Sequence, residues 1–123
     1  MIILDTSAII EILKNTYKAP SIKEHSENEE ACITSFTVHE LLVGVKEKEL
    51  LMLTDFILSV RVLDFNIAAA FESSKIQKEL ASAGRTVEES DIFIAGICIA
   101  NKAKLITLDK GFQDIRGLES IIL

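Results

Sequence analysis

The chain has 123 residues, 49% of them hydrophobic, with one proline and five glycines: enough apolar material to close one core, and a single domain, 1–123. Thirteen Lys and Arg against nineteen Asp and Glu leave a formal charge of -6, which excludes a chain-wide basic footprint for nucleic acid but not a local basic patch. Six Phe, one Tyr and no Trp are too few rings for a base-stacking platform.

Met1 to Leu4 is a short apolar run with no polar face, followed at once by Asp5-Thr6-Ser7 and then Ala8, Ile9, Ile10, Ile12 and Leu13. This reads as a buried strand feeding a capped helix. Pro20-Ser21 suits a helix start, and Lys23 to Glu30 is charged and exposed. Ala31-Cys32-Ile33 is a second strand, ending in Thr34-Ser35 as a cap. Phe36, Val38, Leu41, Leu42 and Val45 then recur at helical spacing, with Gly44 near the end. Lys46 to Leu58 predicts an amphipathic helix with Leu50, Leu51, Leu53, Phe56, Ile57 and Leu58 mostly on one side.

Val60 to Phe65 is a third strand. Asn66 caps a long helix through Ala68, Phe71, Ile76 and Leu80 that stops at Gly84, where a C′ residue belongs. Thr86 to Ser90 leads into Ile92–Ala100, an apolar helix buried nearly all round. Its nine residues are about half of a bilayer span, and Met1 runs into Ile-Ile-Leu with no basic leader. No membrane segment or signal peptide is expected, and the setting expected is the cytoplasm. Cys32 and Cys98 sit in apolar company and read as buried thiols. Leu105-Ile106-Thr107 is a fourth strand and Ser120 to Leu123 a fifth. Strands alternating with helices imply an α/β protein, its mainly parallel sheet covered on both faces.

Ligands of open parallel sheets collect outside the carboxyl ends of the strands, where Asp5 and Asp109 both stand. Glu40 lies on the helix after strand two and Asp91 opens the apolar helix, so four carboxylates converge on one edge. Two carboxylates about 4 Å apart repel by about 4 kcal/mol at an effective dielectric near 20, so four need divalent cations, cationic partners or raised pKa values. Oxygen-only ligands point to Mg²⁺ or Mn²⁺. Each acid has a plainer reading: Asp5 as a helix cap, Glu40 as a solvated residue, Asp91 as a favourable charge at a helix start that Ser90 or Thr86 caps, and Asp109 as a turn former. Only the four acids together point to a metal site.

Other chemistries find no support. His39-Glu40 begins like a zinc HExxH motif, but Val43 stands where the second histidine belongs. Gly44, Gly84, Gly96, Gly111 and Gly117 are too dispersed to cradle a phosphate, and Ser7 and Ser35 have no histidine partner for Ser-His-Asp hydrolysis.

Four segments carry a resemblance: Leu4-Asp5-Thr6-Ser7-Ala8-Ile9-Ile10, Ser35-Phe36-Thr37-Val38-His39-Glu40-Leu41-Leu42-Val43-Gly44, Asp91-Ile92-Phe93-Ile94-Ala95 and Leu105-Ile106-Thr107-Leu108-Asp109-Lys110-Gly111-Phe112. In this order they resemble the motifs of PIN-domain ribonucleases, and within them the compact VapC-like toxins of toxin–antitoxin operons. The resemblance implies a three-layer α/β/α sandwich around a five-stranded parallel sheet. It implies Asp5, Glu40, Asp91 and Asp109 as an acidic quartet binding Mg²⁺ or Mn²⁺, with Thr6, Ser7 and Thr107 as supporting hydroxyls. It further implies endonucleolytic cleavage of RNA to a 5′-phosphate and a 3′-hydroxyl, a homodimer, and a small antitoxin partner whose segment lies in the groove and offers Arg or Lys to the acids. Gly111 departs from the pattern, since many relatives carry another acid before the phenylalanine. Lys14, Lys46, Arg85 and Lys110 are the basic residues placed to contact phosphate at the rim.

Two other readings remain in view. A phosphoacceptor receiver domain needs an acid pair after strand one, where Thr6 follows Asp5, and an acid ending strand three, where Asp64 fits poorly. The second is a PIN-like scaffold that binds RNA or protein without cutting.

Overall fold

A computed structural model describes residues 1–123. The strands are β1 (Ile2–Leu4), β2 (Ala31–Thr34), β3 (Arg61–Leu63), β4 (Lys104–Thr107) and β5 (Ser120–Ile122), and the helices α1 (Thr6–Leu13), α2 (Ala19–Ser26), α3 (Ser35–Gly44), α4 (Leu50–Ser59), α5 (Ile67–Ser82) and α6 (Glu89–Ala100). The five strands form one sheet in the order β3-β2-β1-β4-β5, and every pairing is parallel.

Side chains alternate across the pleat, so the apolar strands feed two cores. Ile3, Cys32 and Leu105 face α5 and α6. Ile2, Leu4, Ile33 and Ile106 face the layer of α1 to α4 through Ala8, Ile9, Ile22, Leu41 and Leu53. The result is the expected α/β/α sandwich, with α6 buried nearly all round. Both cysteines are buried and free, and no helix is long and apolar enough to cross a membrane.

Four details differ from the sequence reading. Lys46–Leu58 is not one helix: a short 3-10 turn at Glu47–Glu49 precedes α4. Nor does α4 bury all the apolar residues expected on one side: Leu53 is buried with Phe56 and Ile57 packed against the core, while Leu51 (76% exposed) and Leu58 (80%) face outward. Phe71, one of the apolar residues that mark α5 in the sequence, is 64% exposed, and the buried residues of α5 are Ala69, Ser73, Ile76 and Leu80. Finally, the N-cap of α6 is Glu88 and no side chain caps it, so neither Ser90 nor Thr86 performs that role.

The chain leaves β1 toward β2 and β3, then returns to place β4 and β5 on the other side, so the order reverses between β1 and β4. In open parallel sheets such a reversal is where ligands bind, outside the carboxyl ends of the two strands. Asp5 follows one strand and Asp109 the other.

Candidate functional site

Asp5 occupies the N-cap position of α1 by backbone geometry, yet its side chain caps nothing. Its carboxylate is 8% exposed and accepts a hydrogen bond from Thr107 Oγ1 at 2.8 Å. The plain capping reading therefore fails, and the buried charge is aimed along the sheet edge toward β4. Burial pushes the Asp5 carboxyl upward; the bonds from Thr107 and the Thr6 backbone pull against that, and the negative Glu40 and Asp109 add to the rise.

Thr107 holds more than Asp5. Its Oγ1 accepts from the Asp109 backbone N–H at 3.0 Å and lies 3.4 Å from Ser7 Oγ, which itself accepts from the Leu108 N–H at 3.0 Å. One buried hydroxyl thus registers the loop after β4 against the start of α1.

Asp109 retains its turn chemistry: Oδ1 takes the Gly111 N–H at 2.8 Å, opening the 3-10 turn Lys110–Asp114. This leaves Oδ2 without a partner on that turn. Asp91 stands in the first turn of α6, its carboxyl pushed up to about 7 by burial first, then by the charges of Asp109, Asp5 and Glu88, and by a hydrogen bond with Asp109. A β-carbon on Gly111 would lie 3.1 Å from Asp109 Oδ1 and 3.5 Å from Asp91 Oδ2, so the two acids flank that glycine. Its lack of a side chain leaves the space between them open.

Glu40 is exposed on α3 and reaches the group through Thr6, whose Oγ1 donates to Glu40 Oε1 at 2.8 Å and lies 3.0 Å from Thr37 Oγ1. Thr37 is a site residue that sequence reasoning passed over. It is buried, and Thr37 and Glu40, three residues apart, lie on one side of α3, where both meet Thr6 Oγ1. Asp5, Asp91 and Asp109 form the inner group, with Glu40 at its margin.

The donors are all oxygen, which suits a hard divalent cation, and burial first, then the neighbouring acids, raises both Asp5 and Asp91. No three acidic, histidine or cysteine side chains are already closed on one point. Holding a cation therefore calls for side-chain rotation, which the exposed Glu40 and Asp109 permit.

Of the basic residues, Lys14 and Lys46 line a groove of about 510 Å³ shared with Glu40, between α1, α3 and α4. Lys110 is exposed immediately after Asp109. Arg85 is engaged with Asp114, Nη1 to Oδ1 at 2.7 Å.

The pattern that defines the PIN domain matches residues 2–118. Among curated proteins, the "tRNA(fMet)-specific endonuclease VapC" of Shigella flexneri is 32% identical over 95% of this chain and 93% of its own. The protein of the same name from Salmonella typhimurium is 35% identical over 94% and 92%. Among solved structures, VapBC2 from Rickettsia felis, bound to a DNA fragment from its promoter, superposes with a TM-score of 0.84 at 26% identity, covering 100% of this chain and 99% of that one. VapBC-1 from nontypeable Haemophilus influenzae gives 0.82 at 28% identity, over 99% and 98%.

Proposed function

This chain belongs to the PIN domain family, and we propose that it is a divalent-metal-dependent endoribonuclease acting as the toxin of a toxin–antitoxin pair in the cytoplasm, its whole length, 1–123, forming one nuclease domain. The observation that carries the reading is the Asp5 carboxylate: buried, not spent on capping its helix, and turned toward further acids at the point where the strand order reverses. A group of this kind lowers stability unless a cation joins it, and that cost is reasonable only where the charge has work to perform.

In this reading Asp5, Asp91, Asp109 and Glu40 are the metal-binding and catalytic acids, with Mg²⁺ or Mn²⁺ as the ion. A bound divalent cation supplies charge neutralisation for the phosphodiester and activates water for in-line attack. The rest falls to the protein. Thr107 favours the charged form of Asp5 against the effect of burial and sets Asp109 beside it; Thr6, held against Thr37, keeps Glu40 turned inward; Ser7 fixes the loop that bears Asp109. Without metal, the acids repel the phosphate backbone.

The relatives named for tRNA(fMet) make tRNA the first substrate to try. Solved VapBC complexes support a small antitoxin partner, and the groove between α1, α3 and α4 suits its segment. Ile10, Leu13, Met52 and Phe56 offer apolar contact there, and Glu40 stands at its edge to receive an Arg or Lys that blocks the acids. A homodimer completes the proposal.

The test is cleavage of labelled tRNA and single-stranded RNA by antitoxin-free protein with Mg²⁺, Mn²⁺ or EDTA, run beside Asp91→Asn. Cutting that needs both metal and Asp91 is the expected outcome. Equal cutting by Asp91→Asn, or undiminished cutting in EDTA, would overturn it.

A further inference from the structure

A second groove, of about 450 Å³, lies between the last turn of α5 and the segment that follows Asp109. Core residues Leu80 and Ile115 line its apolar part; Arg85, Arg116, Gln113 and Ser82 give it hydrogen-bond donors, and Glu79 and Asp114 are its acids. The chain has only three arginines, and the third, Arg61, is paired with Glu30 elsewhere. No aromatic side chain lines the groove, so it is unsuited to stacking bases and suited to a sugar–phosphate backbone.

Both arginines stand on fixed backbone. The end of α5 closes in a Schellman turn, with Gly84 at φ +68°, the Gly84 N–H on Ala81 O at 3.1 Å and the Arg85 N–H on Leu80 O at 2.9 Å. Arg116 sits between buried Ile115 and Gly117, which has φ +80°. The bond from Arg85 to Asp114 uses one of five guanidinium N–H donors and holds the group in place, leaving the others available. Arg116 makes no ion pair.

Both arginines lie a short way along the chain from acids of the site. Arg85 lies on the loop that leads into α6, whose first turn bears Asp91, and Arg116 lies beyond the 3-10 turn that Asp109 opens. That turn has five residues, so at about 2 Å per residue it spans about 10 Å, a short step along a single strand. A chain of charge -6 with its acids at the cutting point needs cations to hold an RNA away from that point.

Resting on the ribonuclease reading above, we infer that this groove is a phosphate-binding subsite for the RNA strand, where nucleotides flanking the cut bond lay their phosphates on Arg85 and Arg116. Arg116 gives the strand a free fork for bidentate contact, and Arg85, oriented by Asp114, a second. Glu79 weakens the grip by its charge. The contacts are to the backbone, so they add affinity without choosing a sequence.

The probe is a labelled single-stranded RNA of about 15 nucleotides, long enough to cover a typical single-strand groove, bound to Asp91→Asn protein over a salt series. Arg116→Ala should weaken binding about tenfold at low salt and flatten the plot of log K against log salt by about 0.7; Arg85→Ala with Arg116→Ala should flatten it by about 1.4. Glu79→Gln should tighten binding and Arg116→Lys should retain most of it. In the otherwise wild-type protein, Mn²⁺ affinity by calorimetry should be the same with and without Arg116→Ala, which a general loss of structure would not leave intact. Unchanged affinity and slope in the double variant, where the Asp91→Asn protein binds the RNA and the wild type cuts it, would overturn the subsite alone. No RNA binding at low salt by the parent protein would overturn the ribonuclease reading and the subsite with it.

Discussion

Thr107 Oγ1 donates to Asp5 Oδ2 at 2.8 Å, joining residues 102 positions apart at the ends of the adjacent strands β1 and β4. The same hydroxyl accepts the Asp109 backbone N–H at 3.0 Å. Thr107→Val keeps the shape and removes the hydroxyl. It leaves a buried carboxylate without its donor and an amide without its acceptor, each costing about 1–3 kcal/mol. Denaturant melts of the variant should show a loss on that scale, and Mn²⁺ titration a 10- to 100-fold weaker affinity that Thr107→Ser largely restores. Equal Mn²⁺ affinity in Thr107→Val and wild type would remove Thr107 from the site.

The acids also set how metal-free stability varies with pH. An unfolded aspartate titrates near 3.9, whereas burial and the neighbouring Asp109 and Asp5 push Asp91 up to about 7. Between those values the folded protein holds a proton that the unfolded chain does not. The stability this confers is complete below about 4 and is lost as pH rises through about 7. Asp5, raised by burial, acts in the same direction.

In EDTA, the melting temperature should therefore fall from pH 5 to pH 8. Asp91→Asn should remove much of the slope and raise the pH 8 value by about 3–6 °C, corresponding to about 1 kcal/mol once the partial exposure of Asp91 is allowed for. A lower melting temperature for Asp91→Asn at pH 8 would mean that the charge serves the start of α6 instead.

The strand-to-helix alternation was readable because strands buried on both faces appear as uninterrupted apolar runs, as in Ile2-Ile3-Leu4. The positions of Asp5 and Asp109 followed from that alternation alone. What local sequence could not distinguish was Asp5 as a cap from Asp5 as a site residue, since the deciding partner, Thr107, is remote in the chain. Thr37 was in principle visible from its spacing with Thr34 and Glu40, but its meaning depends on Thr6 arriving from another helix. The α4 leucines misled for the opposite reason: their number suggested a buried face, whereas the core takes only Leu53 and leaves the others outside.

Gly96 tests how closely α6 must approach α5 to bring Asp91 to the edge. A β-carbon there would lie 2.7 Å from Ala69 O and 2.8 Å from Ser73 Cβ, both held in the facing helix. Gly96→Ala must push the helices apart and should cost about 1–3 kcal/mol, read by chemical denaturation. Gly44→Ala, where a β-carbon meets nothing within 4 Å, should be close to neutral. Equal stability of the two variants would contradict the close packing of α5 on α6.

Glu40 is the acid whose role depends most on a neighbour. It is exposed, and the bond from Thr6 Oγ1 at 2.8 Å turns it toward the carboxyl ends of the strands. Thr6 is steadied in turn by Thr37 Oγ1 at 3.0 Å. Thr6→Val keeps the helix and releases Glu40 into solvent, so RNA cleavage should fall 10- to 100-fold, with Thr6→Ser recovering most of it. Glu40→Gln should lower cleavage at least as much. Because Thr6 acts through Glu40, the double variant should be no worse than Glu40→Gln alone, whereas independent roles would multiply the two losses. Full activity in Thr6→Val would place Glu40 among the solvated residues of α3.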